Sequence, residues 1–459
     1  MRLSIQEVAE ACKGKILYSQ NIEGEITSVS INTREIEAGA VFFPFKGERV
    51  DGHDFIAQAA EKGATCAFTE REDSPNVGIP LIFVPSTRKA IMDLAAYYRR
   101  RHDVKVIAVA GSAGKTTTKE MVAALLSQRF TTKKTYKNYN NDIGLPLSIF
   151  QLTPEDKAIV LEMGMNRPNE ITPLSKISAP DIAVVTLIDD EHMENFPNRE
   201  GVLHANLEIV DGLNQNGIVV LNGEDPLLTG DYVKEKTRPF TVHYLNASHI
   251  IEAQPNGLTD TRCHFRINDT DIHLTVPLPG HHMVTNALLA ATVAIEMGLS
   301  PQEISDGFDV LTMPEGRLAV LEANGMTVIN DTYNANPASI KAAIKVLLLE
   351  SRSNCRRVCI LGDMNELGHV SEARHHEVGI YAAKAGIDLL ISIGEMARHL
   401  HEGYLSATDR VFSALHFPTT DAFLSQWKTL LFSGDILLIK ASRGMAFEAI
   451  VTAITEENP

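Results

Sequence analysis

The stretch "VIAVAGSAGKTTTKE" (106–120) constrains the fold more than any other. A β-branched run breaks into glycines that bracket a lysine, three threonines follow, and "KEMVAALLSQRF" continues with apolar residues at helical spacing. A buried strand that turns through glycines into a helix belongs in a layered α/β sheet. Glycines let successive backbone N–H groups turn towards an anion, and the helix N-terminus adds partial positive charge. Gly111, Ser112, Ala113, Gly114, Lys115, Thr116 and Thr117 therefore form a candidate phosphate loop. Lys115 would neutralise terminal phosphates, and the Thr116 hydroxyl would ligate Mg²⁺. The usual spacing to a first glycine is absent, because Val109 stands there. The bland alternative is a glycine turn beside a solvated lysine, but strand, glycines, Gly-Lys-Thr and helix arrive in the order that a phosphate site requires. The short loop and the run of hydroxyls point to a subgroup of P-loop enzymes rather than to a motor or a GTPase.

The surrounding pattern predicts three α/β domains. Residues 1–84 mix short strands and turns, and "STRKAIMDLAAYYRRR" (86–101) is a capped, amphipathic connecting helix. In the middle region, 85–311, the apolar runs "VKVIAVA" (104–110), "AIVLEMG" (158–164), "IAVVTLI" (182–188) and "GIVVLN" (217–222) alternate with helical patterns. Continuous apolar strands between helices imply a mostly parallel sheet covered on both faces. One alternating strand, "TDIHLTVPLPG" (270–280), breaks the pattern before an Ala-rich helix over 283–297. A Rossmann-like unit, 312–459, would carry strands at 326–331, 357–363, 388–394 and 435–442. Open sheets of this kind bind ligands outside the carboxyl ends of their strands, and the polar motifs cluster there.

With 42 Lys plus Arg against 58 Asp plus Glu, the net charge is −16. An acidic surface repels nucleic-acid backbones and anionic lipid, which leaves a small anionic ligand in a local basic pocket. The five cysteines are scattered and odd in number, as in a reducing compartment. Cys355 and Cys359 read as two buried thiols on a strand rather than as half of a metal site. No apolar run has signal-peptide or membrane-spanning character. A cytoplasmic location is expected.

Two further residues stand at strand ends beside the loop. Glu162 follows the second run, where a nucleotide-bound Mg²⁺ needs an oxygen ligand. Taken alone, a single glutamate at a strand end is more often structural. His192 follows the third run; imidazole is an uncommon Mg²⁺ ligand, so a hydrogen-bonding histidine is the alternative.

The ordered set "GSAGKTTT", "KNYNNDIGLP", "VLEMGMN", "LPGHHMVTNALLAA", "GRLAV", "NDTYNANPASIKAAI", "ILGDMNELG" and "IKASRGMAFE" closely resembles the Mur ligases of bacterial cell-wall synthesis. The resemblance spans almost the whole chain. The N-terminal "SINTREIEAGAVFFPFKGERVDGHDF" is most similar to the branch that joins D-alanyl-D-alanine to a UDP-N-acetylmuramoyl tripeptide. The resemblance implies an ATP- and Mg²⁺-dependent amide ligase that phosphorylates the peptide carboxylate and lets an amine displace the phosphate. Lys115, Glu162 and His192 would be catalytic, with Thr116, Glu162 and His192 on the metal. Asn286, Arg317, Asp331, Tyr333, Asn334 and Asn336 would join the loop around ATP. Thr33, Arg34, Lys46 and Gly47 would hold the UDP end, with Asn138 and Asn141 on the sugar and peptide side. Lys440, Ser442 and Arg443 would face the dipeptide. On their own, Arg34 and Lys46 read equally as solvated charges, Asn334 and Asn336 as turn residues before Pro337, and "KASRG" as a helix cap. The expected partners are these two substrates, with no nucleic acid and no membrane, and the chain is expected to act as a monomer.

The chain departs from the family pattern between the third strand and the next helix. Leu187, Asp189 and Glu191 replace an amide, a glycine and a small residue before His192, and Asn206 replaces a lysine that the family carbamylates to hold a second Mg²⁺. Asn32, Ala113 and Lys137 are smaller departures. Asn206 cannot be carbamylated, and a neutral carbonyl is a weaker ligand for a hard cation. Asp189, Asp190 or Glu191 would then partly replace the missing carboxylate, or the three acids form a solvated loop. Competing readings are a sibling ligase or folylpolyglutamate-type enzyme, and a nucleotide-binding regulatory protein whose metal site has decayed.

Overall fold

The computed structural model describes residues 1–18, 22–350, 352, 355–410 and 413–456. It contains three α/β domains. In the first, the strands Lys15–Leu17, Leu81–Phe83, Cys66–Thr69, Ala40–Phe42 and Ser28–Ser30 lie side by side in that order. The pair at one edge is antiparallel and the rest are parallel. The connecting helix Thr87–Arg100 begins where Ser86 accepts a hydrogen bond from the Lys89 amide, and it buries Ala90, Ile91, Leu94, Ala95 and Tyr98. Those positions recur at three and four residues, the spacing of one helix face.

The central sheet has the order Thr241–Leu245, Ile218–Asn222, Ile182–Val185, Lys105–Ala110, Ala158–Glu162, Thr132–Lys134. All of its pairings are parallel. The strand Lys105–Ala110 explains why both faces must be covered. Val106, Ala108 and Ala110 enter a core shared with the connecting helix and the first domain. Ile107 and Val109 enter the opposite core, with the helix Lys115–Leu126 and the buried helix His281–Glu296. The chain leaves Lys105–Ala110 for one side of the sheet, through Ala158–Glu162, and then crosses to Ile182–Val185 on the other. Such a reversal opens a crevice at the carboxyl ends of the two flanking strands.

The expected lone strand near 270 is the edge of an antiparallel ribbon, Ile250–Asn256, Asp260–Ile267 and Thr270–Val276. The third domain has the order Ala319–Ala323, Met326–Asn330, Ile436–Lys440, Arg357–Gly362, Leu389–Ile393, Ala414–Phe417. Only Ala319–Ala323 pairs antiparallel. The edge strands absent from the sequence reading are short or partly polar, so they carry little apolar signal. The paired thiols need one correction: Cys359 is buried in its strand, whereas Cys355 lies before it and is half-buried. Among the described residues no helix is long and apolar enough to cross a membrane.

Candidate active site

The loop after Lys105–Ala110 turns at Gly111 with φ +133°, where a Cβ would come within 2.1 Å of the Thr186 hydroxyl. Gly114 has φ +83°, and a side chain there would press on Asn286 Oδ1 at 2.9 Å. Only glycine accommodates both the backbone angle and the close approach. The Gly111 amide donates to Asn206 Oδ1 at 2.7 Å, and the Thr186 hydroxyl donates to the Ala113 carbonyl at 2.5 Å. The loop is therefore held from behind by the neighbouring strand and helix. Lys115 opens the following helix, and its ammonium donates to the Gly111 carbonyl at 2.5 Å and to Glu191 Oε1 at 2.7 Å.

In front of the loop lies a cleft of about 310 Å³. Ser112, Ala113, Gly114, Lys115 and Thr116 form its floor, and Asn138, Asn140 and Asn141 line one side. The third domain closes the other side with Arg317, Tyr333, Asn334, Asn336, Lys440 and Arg443. Arg317 donates to the Thr116 hydroxyl at 3.1 Å and lies 4.1 Å from the centre of the Tyr333 ring. Asn336 donates to the Ser112 carbonyl at 3.3 Å. Lys440 is buried against Asp331 Oδ2 at 2.6 Å and the Asn334 carbonyl at 2.8 Å. Burial pulls the Lys440 ammonium below its ordinary pKa, against the opposing pull of Asp331.

Glu162 sits at the end of its strand, 2 % exposed. Its Oε1 accepts from Asn140 at 2.9 Å, whereas Oε2 has no hydrogen-bond partner and lies 3.6 Å from the Lys119 ammonium. Glu191 also has one oxygen, Oε2, buried without a hydrogen bond. Burial raises the Glu191 pKa, partly opposed by Lys115. His192 adopts φ +50° and faces Glu366 through Nδ1 at 3.0 Å. Burial lowers its pKa, so the neutral imidazole is favoured despite Glu366. Among the described residues no three His, Cys, Asp or Glu side chains converge as a ready-made metal centre. A nucleotide-bound Mg²⁺ does not need one, because phosphates and water supply most of its octahedron beside one or two carboxylates.

The reading of Asp189, Asp190 and Glu191 as a solvated loop does not hold. Asp189 pairs with Arg199 at 2.6 Å and accepts from the Ala338 amide of the third domain at 3.0 Å. Asp190 is gripped by Arg199 and by Arg374, at 2.5 Å from the latter. Only Glu191 reaches the cleft. Asn206 ties the loop to the neighbouring helix: its Oδ1 accepts from the Gly111 amide and its Nδ2 donates to the Val202 carbonyl.

Several expected site residues lie outside the cleft lining. Gly111, Thr117, Asn286 and Asp331 sit behind its walls, and the Ser442 hydroxyl is engaged with the Asn365 amide and the Ala335 carbonyl. Arg443 lines the cleft but pairs with Glu448. Thr33, Arg34, Lys46 and Gly47 belong to the first domain and do not line the cleft; Thr33 bonds Gln58, and Lys46 and Gly47 are exposed. Lys119, buried against Glu120 and Glu162, was not singled out from the sequence, although it lies one helical turn beyond Lys115. Asn140 and Glu366 were passed over in the same way, inside motifs already quoted.

Family models for the "Mur ligase family, catalytic domain", the "Mur ligase middle domain" and the "Mur ligase, glutamate ligase domain" match residues 25–99, 109–294 and 316–443. A Bacillus subtilis (strain 168) protein is 35% identical, with 99% of each chain covered. The chain belongs to the Mur ligase family. That relative is named UDP-N-acetylmuramoyl-tripeptide--D-alanyl-D-alanine ligase. A solved MurF from Acinetobacter baumannii superimposes with a TM-score of 0.93 at 30% identity, covering 100% of this chain and 99% of that one. MurF ligase from Thermotoga maritima, solved in complex with ADP, gives a TM-score of 0.81 at 27% identity over 94% and 97%. In this Mur ligase, Leu187, Asp189, Glu191 and Asn206 all lie within the stretch that the middle-domain model matches.

Proposed function

We infer that the chain is an ATP-dependent ligase that joins D-alanyl-D-alanine to a UDP-N-acetylmuramoyl tripeptide in peptidoglycan precursor synthesis. One observation carries this reading: a single cleft is walled by the phosphate loop, by the Asn138–Asn141 segment and by the third domain's Tyr333, Lys440 and Arg443. A phosphate donor, a carboxylate and an amine can meet only where such walls converge. The full-length match to relatives named for this reaction supports the choice of substrates.

A carboxylate is a poor acyl donor because its oxygen leaves badly. In the proposed reaction a carboxylate oxygen of the tripeptide attacks the γ-phosphorus of ATP, and ADP departs. The dipeptide amine then attacks the acyl carbon, inorganic phosphate leaves, and the amide forms as the nitrogen gives up its proton. Lys115 and Arg317 stabilise negative charge on the transferring phosphoryl group through preorganised electrostatics. Thr116, Glu162 and His192 would hold Mg²⁺, and the buried Glu162 Oε2 without a hydrogen bond fits that demand. The cation supplies charge neutralisation on the phosphates. Asn138 and Asn141 face the acceptor substrate, and Lys440 and Arg443 the dipeptide. The first domain, 1–84, holds the UDP end through Thr33, Arg34, Lys46 and Gly47, while 85–311 binds ATP and 312–459 closes over it. The protein works as a cytoplasmic monomer.

The test is a coupled assay of ADP release. It should require both UDP-N-acetylmuramoyl tripeptide and D-alanyl-D-alanine. ADP release with another amino acid in place of the dipeptide would mark a sibling ligase, and nucleotide binding without substrate-dependent release a non-catalytic homologue.

A further inference from the structure

We propose that Glu191 supplies the carboxylate for a second divalent cation on the bound nucleotide, in addition to the one held at Glu162. The inference rests on the assignment of the cleft to ATP, but not on the identity of the peptide substrates. Glu191 and Glu162 line the same cleft, on opposite sides of the phosphate-loop strand's end. Each keeps one buried carboxylate oxygen without a hydrogen bond. Glu162 is 2 % exposed, so its Oε2 is not satisfied by bulk water, and its neighbouring cation, the Lys119 ammonium, stands 3.6 Å away. Buried carboxylate oxygens without a hydrogen bond are costly, and a hard cation satisfies them while adding positive charge for phosphate.

The neighbouring groups cannot take the role. Asp189 and Asp190 are spent on Arg199, Arg374 and the Ala338 amide. Asn206 is 1 % exposed, and both ends of its amide are bonded to backbone. Glu191 alone projects towards Lys115, where terminal phosphates would lie. Without nucleotide, Lys115 balances one Glu191 oxygen; with nucleotide, the lysine turns to phosphate and the carboxylate is left for a cation. A negatively charged Glu191 with no cation would repel the phosphates it faces.

The test titrates Mn²⁺ into the full-length protein with a non-hydrolysable ATP analogue, reading free Mn²⁺ by electron paramagnetic resonance. The wild-type chain should bind about two equivalents. Glu191→Gln, nearly isosteric, should retain one and weaken the other at least about tenfold, while nucleotide binding without metal persists. Glu191→Asp should recover part of the lost site. If Glu191→Gln leaves both Mn²⁺ equivalents in place, or if the wild-type chain binds only one, the proposal is overturned. A mere ion pair to Lys115 would show itself as tighter metal-free nucleotide binding in Glu191→Gln with unchanged Mn²⁺ stoichiometry, which also overturns it. These readouts do not involve the peptide substrates, so a failure of the ADP assay would leave them interpretable.

Discussion

The Gly111 amide donates to Asn206 Oδ1 at 2.7 Å, across ninety-five residues of sequence and inside the core. This bond fixes the first turn of the phosphate loop from the helix Arg199–Asn206. Replacing Asn206 with Ala should leave a buried N–H unsatisfied and cost about 1–3 kcal/mol of stability. Nucleotide affinity should fall with it. Asn206→Asp keeps the acceptor for Gly111 but sets a buried carboxylate oxygen against the Val202 carbonyl, so it should lose stability too. Chemical denaturation together with nucleotide titration measures both, and an Ala variant equal to wild type in the two would refute the tie.

Lys115 bridges the loop carbonyl and Glu191, so removing its charge acts on both. Lys115→Met should lower kcat for ADP release by roughly 10²–10³-fold, the usual effect of losing one preorganised charge on a transferring group. Steady-state kinetics at saturating ATP reads this directly. A loss confined to KM would mean that the lysine only binds ATP.

Asp190 joins the central domain to the third through Arg374, and Arg199 of its own domain holds it from the other side. Burial alone would raise its pKa, but the two guanidinium groups hold it below the ordinary carboxylate value. A depressed carboxylate contributes stability above its unfolded pKa and loses it as pH falls through the folded one. Asp190→Asn should therefore destabilise the closed arrangement at neutral pH by at most roughly 3–5 kcal/mol, and by less because both arginines are partly solvated. The difference from wild type should shrink in strong acid. Small-angle scattering with nucleotide should report a larger radius of gyration for the variant.

His282, at the start of the buried helix His281–Glu296, has its pKa pushed down from 6.5 to about 4, chiefly by burial. The unfolded chain binds this proton between those values and the folded chain does not, so stability should fall as pH drops from 6.5 towards 4. His282→Gln should flatten that part of the profile. Thermal unfolding midpoints across the window check it, and parallel curves for the two proteins would count against the assignment.

The strands were legible where apolar runs are long, as in "VKVIAVA" and "IAVVTLI", because a buried parallel strand needs apolar residues on both faces. The edge strands Thr132–Lys134 and Ala414–Phe417 were not, since a short half-covered strand leaves no such run. In the site, the residues of the phosphate loop could be named from local spacing alone. Glu191 was only one of three acids, and nothing in "IDDEH" says which one turns inward.

By itself, the sequence determined that this chain is a layered α/β protein with a phosphate loop, because glycine conformation and apolar periodicity are local properties of consecutive residues. It also carried the family, since the motifs keep their order along the chain. Only the tertiary structure decided what Asn206, Asp189, Asp190 and Glu191 do. A side chain's role in a buried site depends on which partner meets it, and the partners Gly111, Arg374 and Lys115 are brought in by folding from distant parts of the chain.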